Sequence, residues 1–339
     1  GCKTTDRFYY DKNGTDETPT QERRALTSSD TGPWAKGFKY CFKVTNGNQT
    51  DAGASDSLRP IYYVEGRDLH NSGWLYNDTS SKITISFWVR SSVAQRFYLI
   101  LRTDDGTGQN YGHPYTISSA NTWQKVTHTI PGHANLTFND DSGVGMLVQL
   151  PLFLGHLKTN DSFTDDAWAA YDSASNCKDY DDADDDWYLT NDATWEITGL
   201  QLEVADTATE FEFRPYADEL LRCQRYYWKN KVTDAYTVYT VAANYSSSNF
   251  YGHVDFPVEM RTGGTGIATG TSAMSTFEYL AGGSSKTPTS IAGGSRYSPY
   301  GGELFIQETG DANLTAGQAG WLRASASGAN GYISYDAEY

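Results

Sequence analysis

Aromatic side chains with short polar neighbours recur in the loop-like segments of this 339-residue chain. Such rings recognise sugars by stacking on C–H faces, while nearby Asn, Asp, Gln and Arg groups bind the hydroxyls. Five of the candidate rings lie in the segments YSSSNFYG and SRYSPYGG. The candidate binding residues are Trp74, Tyr76, Trp168, Tyr245, Phe250, Tyr251, Tyr297 and Tyr300. The alternative for each ring is packing in a core or between domains.

A stretch rich in aspartate runs from Asn160 to Tyr188 and offers oxygen ligands for a hard cation. It lacks the D-x-D-x-D-G loop of an EF-hand, so a solvated acidic loop is the alternative interpretation. If the stretch binds calcium, the candidate ligands are Asp179, Asp181, Asp182, Asp184, Asp185 and Asp186. Beyond this calcium hypothesis, the sequence indicates no cofactor.

Catalytic motifs do not emerge from the remaining titratable residues. The six histidines are scattered, without the HExxH motif of zinc proteases, and no Gly-x-Ser-x-Gly elbow occurs. Glycosidases use paired carboxylates, but with 42 acidic residues no pair can be recognised from sequence alone. We therefore expect no catalysis.

Charge and hydropathy narrow the set of partners. The formal net charge of −16 disfavours binding to a phosphate backbone, so no nucleic-acid partner is expected. The longest apolar stretch, GMLVQLPLFLG from Gly145 to Gly155, is too short to span a membrane and predicts a buried pair of strands. The 25 tyrosines and 32 glycines favour an all-β fold.

Strand patterns dominate the first 211 residues. In KITISFWVR, from Lys82 to Arg90, apolar residues alternate with residues of the opposite face. RFYLILR, TWQKVTHTIPG and TWEITGLQLEVA repeat this alternation between polar turns. Many short strands at this spacing predict a jelly-roll β-sandwich over residues 1–211, with a closed barrel as the alternative.

A helix signal interrupts the strands between residues 212 and 229. Pro215 suits a first helical position, and Asp218 and Glu219 suit the first turn. Tyr216, Leu220, Cys223 and Tyr227 would form one apolar stripe, which predicts a short amphipathic connecting helix that docks on a neighbouring element. Residues 230–339 then return to strand patterns with Gly-rich turns, which predicts a second, smaller β-sandwich.

The junction around this helix resembles a known family. ITGLQLEVADTATEFEFRPYADELLRCQRYYWK, from Ile197 to Lys229, is similar to a segment of bacteriophage tail-fibre and related virion appendage proteins, in which a last sandwich strand leads to a helix ending in CQRYY. DFPVEMR, from Asp255 to Arg261, and the last 26 residues resemble further parts of that family. TTDRFYY, from Thr4 to Tyr10, extends the resemblance toward the start of the chain.

The resemblance implies a structural virion protein with a carbohydrate-binding-module-like domain. It implies assembly with other virion proteins, a homotrimeric fibre, and attachment to a host-surface polysaccharide or receptor. The expected location is accordingly the virion, in a tail fibre or another appendage. Two alternatives remain open: a glycan-degrading tail-spike enzyme, and the carbohydrate-binding module of a secreted hydrolase.

Overall fold

The computed structural model describes residues 2–3, 8–180, 186–263, 267–307, 315–326 and 330–338. The chain divides into two compact units, here called the N-terminal unit (Gly1–Glu212) and the C-terminal unit (Phe213–Tyr339). Antiparallel strands dominate both units, so the expected all-β class is confirmed.

Two antiparallel sheets form the described part of the N-terminal unit. Its strands are β1 Cys2–Lys3, β2 Phe8–Asn13, β3 Thr20–Ala25, β4 Tyr40–Thr45, β5 Ser57–Glu65, β6 Lys82–Ser91, β7 Arg96–Thr103, β8 Gln109–Thr116, β9 Gln124–Pro131, β10 Val144–Gln149, β11 Phe153–Leu154, β12 Trp168–Ala170 and β13 Thr194–Glu203. The larger sheet has the order β1-β2-β5-β10-β7-β8-β12, with β11 also pairing with β5. The smaller sheet has the order β3-β4-β13-β6-β9, and the two short helices are α1 Gly66–His70 and α2 Asp186–Leu189.

Alternation along β6 shows how the two sheets make one core. Ile83, Ile85, Phe87 and Val89 are each at most 2% exposed and face the opposite sheet, as the sequence predicts. Inward-facing residues of the larger sheet, such as Leu99, complete the same hydrophobic cluster. This packing is that of a jelly-roll β-sandwich, which confirms the predicted architecture.

The apolar segment from Gly145 to Gly155 forms two buried strands, β10 and β11, as predicted. Every residue of this segment is buried. No helix in the described ranges combines the length and hydropathy needed to cross a membrane.

A network of four charged residues lies on the outer face of the smaller sheet. Glu196 accepts hydrogen bonds from Arg24 at 2.6 Å and from Arg90 at 2.8 Å. Asp30 lies 2.7 Å from Arg24 and 3.2 Å from Arg90, and also accepts a bond from Trp123. Both carboxylates are 3% exposed. Each buried charge therefore has a partner of opposite sign, as burial requires.

The network lies beneath the segment that joins β3 to β4. Leu26, Phe38 and Cys41 form a small buried cluster there, with Trp34 and Trp88 packed against it. Part of the outer face of the smaller sheet is therefore covered by its own chain.

The C-terminal unit contains two further sheets. Its elements are α3 Tyr216–Gln224, β14 Tyr227–Lys231, β15 Val238–Asn244, β16 Asn249–Asp255, β17 Ala268–Thr271, β18 Phe277–Ala281, β19 Ser284–Lys286, β20 Ser290–Ser298, β21 Gly301–Gln307, β22 Ala319–Ala324 and β23 Tyr332–Asp336. In the described residues, one sheet has the order β14-β23-β17 and the other β19-β18-β22-β15-β16-β21-β20. Phe250 and Tyr335, one from each sheet, belong to the same buried cluster, so this unit is the predicted second sandwich.

The helix α3 is shorter than predicted. Pro215 is the N-cap residue rather than the first helical residue, and the helix begins at Tyr216. Tyr227 belongs to strand β14, where it pairs with Asp336. The predicted apolar stripe is not buried, since Tyr216 is 81% and Leu220 is 39% exposed. The prediction of a docked stripe was therefore wrong for Tyr216 and Leu220, and Tyr227 lies outside the helix.

Removal of one carboxylate from the charged network tests its contribution to stability. Glu196→Ala leaves Arg24 and Arg90 competing for Asp30, so the free energy of unfolding should fall by about 3 kcal/mol. Urea unfolding followed by tryptophan fluorescence measures this loss. Lys43→Ala, which breaks the more exposed Lys43–Glu22 pair on the same sheet, should cost at most about 1 kcal/mol. Equal effects of the two substitutions would contradict the assigned role.

Asp30 should make the N-terminal unit sensitive to acid. Burial alone raises its pKa, but hydrogen bonds from Arg24, Trp123 and the Thr27 amide together hold the pKa well below its usual value. A depressed pKa stabilises the fold above the unfolded pKa of about 4, and this stability is lost as the pH falls further. The stability gap between wild type and Asp30→Asn should hold above about pH 5 and shrink below about pH 4, as measured by urea midpoints. A gap unchanged down to about pH 2.5 would contradict this assignment.

Candidate functional site

The outer face of the larger N-terminal sheet carries aromatic and charged side chains, in contrast to the core on its other side. On β2, Phe8 and Tyr10 are buried in the core, so Tyr9 and Asp11 point to the opposite face. The strand pairings align this face across β2, β5, β10 and β7. We call it the open face, and its residues are Tyr9, Asp11, Arg59, Tyr63, Arg102, Gln149 and the adjacent Asp104 and Tyr171.

Two tyrosines form the aromatic part of the open face. The rings of Tyr9 and Tyr63 meet edge to face with 5.8 Å between their centroids, and both side chains are half-buried. Burial, followed by the charges of Tyr9 and Asp11, raises the pKa of Tyr63. Its hydroxyl is therefore protonated at neutral pH. Ile61 and Leu147 lie beside the two rings and form an apolar floor.

Arg59 is held rigidly next to these rings. Its Nε donates a hydrogen bond of 2.8 Å to Asp11, and its Nη1 donates one of 2.8 Å to the Gln149 side-chain oxygen. Arg59 is 19% exposed, so part of the guanidinium remains accessible. The arginine is thus fixed in place before any ligand arrives.

A second arginine occupies the other end of the open face. The guanidinium of Arg102 lies 4.2 Å above the centre of the Tyr171 ring and donates a 2.7 Å hydrogen bond to Asp104. With the Arg59–Asp11 pair, the face carries two positive and two negative side chains. Its charges therefore cancel locally, although the chain as a whole is acidic.

The remainder of this sheet surface is covered. Tyr98 and Ile100 of β7 pack with Leu154 and Cys177 in a buried cluster beneath the segment that follows β11. Burial raises the pKa of the Cys177 thiol well above its ordinary value, so this thiol is unreactive. The open face is consequently limited to the part of the sheet around β2, β5, β10 and the Arg102 end of β7.

Two histidines and an aspartate meet at another place in the N-terminal unit. His113 lies on β8, His128 on β9, and Asp166 in the loop before β12. Asp166 Oδ1 lies 2.7 Å from His113 Nδ1 and 3.3 Å from His128 Nε2. Burial, then the neighbouring His113, lower the pKa of His128 to about 4, so its ring is neutral at pH 7. In the part of the chain that the structure describes, this is the group of three side chains suited to hold a metal ion.

Three of the aromatic residues proposed from sequence are core residues. Trp74 is 2% exposed and donates a hydrogen bond to the Ser81 carbonyl. Phe250 is fully buried and stacks on Tyr279 with 3.7 Å between the ring centres, and Tyr297 is also buried. A ring enclosed on both faces offers no surface to a sugar, so these three assignments were wrong.

Two further candidates are half-buried by packing. Tyr76 contacts the Phe138 ring edge to face at 5.0 Å. Trp168 lies 5.2 Å from the Tyr111 ring and donates a hydrogen bond to the Pro131 carbonyl. Both rings pack against the N-terminal core, and neither lies on the open face.

The other three candidates are accessible in the C-terminal unit. Tyr245 is 73% and Tyr300 is 64% exposed, and the half-buried Tyr251 meets Tyr245 edge to face at 5.5 Å. Tyr251 also lines a shallow concavity of about 550 Å³ together with Arg296 and Glu303. This concavity is a second surface with an aromatic ring beside charged groups.

The calcium hypothesis falls largely outside the described residues. Asp181, Asp182, Asp184 and Asp185 are not among them. Asp179 is half-buried and its backbone carbonyl accepts a hydrogen bond from Arg96, while Asp186 begins α2. Calcium binding by this segment stays a prediction.

The residues of the open face were not predicted from the sequence, because they do not lie in the loop-like segments where exposed rings are expected. Tyr9, Arg59 and Tyr63 lie within strands, at outward positions between buried residues. A signal was present in SLRPIYYVE, which forms β5: Arg59 and Tyr63 are four residues apart and therefore lie on the same face of the strand.

Comparison with known proteins finds solved structures that resemble this chain only at low sequence identity and low TM-score. No family model matches the chain, and no curated protein matches it. Among solved structures, the enzymatically active domain of tailspike protein 4 from bacteriophage CBA120 is 9% identical, with a TM-score of 0.33, and the match covers 60% of this chain and 20% of that one. The chain thus spans about a fifth of the tailspike chain it matches.

Two structures of carbohydrate-binding modules give matches of the same kind. The family 11 module of the Clostridium thermocellum cellulase Lic26A-Cel5E is 10% identical, with a TM-score of 0.28 over 59% of this chain and 88% of that one. The CBM22-1–CBM22-2 tandem of Paenibacillus barcinonensis Xyn10C is 8% identical, with a TM-score of 0.29 over 96% of this chain and 91% of that one. Similarities this low define no family, so the function is argued from the residues themselves.

Alanine substitutions should separate the buried from the exposed candidates. Phe250→Ala removes a fully buried ring and should lower the free energy of unfolding by about 3–5 kcal/mol. Tyr245→Ala, at an exposed position, should change it by less than about 0.5 kcal/mol. Thermal and urea unfolding of both variants measure the difference. A Phe250→Ala protein as stable as wild type would contradict the core assignment.

Proposed function

We propose that the protein binds glycans through the open face of its N-terminal sandwich. The observation that carries this proposal is the Tyr9–Tyr63 ring pair next to Arg59, which Asp11 and Gln149 hold in place. Sugar rings present C–H surfaces that pack on aromatic rings and hydroxyls that exchange hydrogen bonds with planar polar groups. The open face supplies both kinds of contact side by side.

The charge balance of the open face favours an uncharged polysaccharide. Arg59 is neutralised by Asp11, and Arg102 by Asp104. A ligand with many carboxylates or phosphates would have to displace these pairs or approach an acidic protein without compensation. A neutral glycan meets hydrogen-bond donors and acceptors without that cost.

We further propose that this binding serves attachment of a virion to its host. The support is the resemblance of Ile197–Lys229 to the junction segment of bacteriophage tail-fibre and appendage proteins. In this proposal the protein is a structural component of a tail fibre or similar appendage, assembled with other virion proteins as a homotrimer. Repeated copies would convert a modest affinity per site into firm adsorption.

Binding without catalysis fits the open face better than hydrolysis does. Glycosidases need two carboxyl groups free to act as acid, base or nucleophile. On this face Asp11 and Asp104 are each engaged by an arginine. Incubation with host polysaccharide followed by measurement of new reducing ends tests this part, and release of reducing ends would favour the tail-spike enzyme.

The glycan-binding proposal is tested by affinity electrophoresis in gels that contain a neutral polysaccharide from the host surface. Tyr63→Ala removes one stacking surface worth about 1 kcal/mol, so the dissociation constant should rise about fivefold to tenfold. Arg59→Ala should weaken binding at least as much, because it removes a rigid donor. Tyr40→Ala, at an exposed tyrosine of the smaller sheet, is the matched control and should bind like wild type.

Two results of this binding measurement would overturn the proposal. Normal binding by both open-face variants, with loss of binding by Tyr251→Ala, would move recognition to the concavity of the C-terminal unit. Failure of the wild type to bind any host polysaccharide, with all variants folded by circular dichroism, would exclude the glycan-binding function.

A further inference from the structure

The cluster of His113, His128 and Asp166 has the composition of a transition-metal site. The possible ligand atoms, one from each side chain, all lie within 4.8 Å of one another. Two imidazole nitrogens and a carboxylate oxygen are ligands that zinc and related divalent ions accept. The scattered positions of these residues in the sequence gave no sign of the arrangement.

The two imidazole rings lie in an unusual geometry. His113 and His128 are stacked, with 3.5 Å between ring centres and 13° between ring planes. Both direct a nitrogen at the same oxygen of Asp166, and His128 Nε2 is also 2.8 Å from the Tyr111 hydroxyl. Asp166 Oδ1 is therefore shared by both histidines, and His128 Nε2 is shared by Asp166 and Tyr111. A bound cation would instead form a separate coordination bond with each of the three ligand atoms.

The fold holds the three side chains in place from different elements. His113 and His128 come from different sheets of the sandwich, on β8 and β9. Asp166 adopts a left-handed backbone conformation with φ of 61°, and its amide donates a 2.9 Å hydrogen bond to the Gly112 carbonyl. The Trp168 indole closes the site on one side by packing against Tyr111.

An ion can reach this site from solvent. The side chain of Asp166 is 49% exposed, whereas those of His113 and His128 are 19% and 15% exposed. Zinc–nitrogen bonds of about 2.0–2.1 Å at tetrahedral angles place ligand atoms about 3.4 Å apart. The ligand atoms lie within 4.8 Å of one another, but the two stacked rings are nearly parallel, so both must tilt for their nitrogen lone pairs to point at one ion. Asp166 must also move away from His113, from which it is now 2.7 Å.

We propose that His113, His128 and Asp166 bind a divalent transition-metal ion of the zinc type, which connects the two sheets of the N-terminal sandwich to the loop before β12. Three protein ligands leave one coordination position for water. The site is separate from the open face, so its test does not depend on glycan binding.

Isothermal titration of the full chain with zinc chloride, after EDTA treatment and dialysis, tests the proposal. The wild type should bind one zinc ion tightly and show a higher melting temperature with zinc. Asp166→Asn and His128→Gln should each weaken zinc binding at least tenfold and remove most of the thermal shift. His253→Gln is the matched control, because His253 also contacts an aspartate, Asp255 at 3.1 Å, but belongs to no three-residue group among the described residues.

A second measurement separates a built site from weak binding to surface carboxylates. Cobalt substituted for zinc should give the visible absorption of a tetrahedral or five-coordinate ion in wild type and His253→Gln, and lose it in Asp166→Asn. Asp166 is exposed, so this variant keeps the fold even if His128→Gln does not. Absence of zinc and cobalt binding in the wild type, or unchanged binding by Asp166→Asn, would overturn the proposal.

Discussion

The alternation of side chains along each strand is the constraint on which the N-terminal sandwich depends. Every second residue of β6 enters a core shared by both sheets, and the residues between them face outward. A functional surface on the sheets can then lie only on one of two outer faces. The charged network around Glu196 and the segment above it cover part of one of them. The other outer face, around Tyr63 and Arg59, is the one for which we propose glycan recognition.

Rigidity follows from the same arrangement. The groups of the open face sit on paired strands rather than on loops, and Arg59 is bonded to both Asp11 and Gln149. Binding a ligand to such groups costs little side-chain entropy, because their rotamers are already restricted. Tyr245 and Tyr300, which are highly exposed, lack this restraint. The difference explains why the open face is the better candidate although the exposed tyrosines are easier to recognise in the sequence.

The sequence predicted what depends on local pattern and missed what depends on distant pairing. Alternation in KITISFWVR correctly identified the inward residues of β6. Whether Trp74 or Phe250 is buried depends on strands far away in the chain, so loop-like neighbours were a poor guide. The helix signal was correct in place but too long, because Tyr227 pairs with a strand more than one hundred residues later. His113 and His128 meet Asp166 only through the fold of the sheets.

The position of Tyr9 between Phe8 and Tyr10 has an evolutionary consequence. Phe8 and Tyr10 are fixed by the core, whereas Tyr9 packs only on the outer face of the sheet, against Tyr63. Substitution of an outward residue such as Tyr9 should therefore cost the fold less than substitution of Phe8 or Tyr10. The binding properties of the outer face could therefore change during evolution by single substitutions at outward positions, while the core residues Phe8 and Tyr10 stay the same.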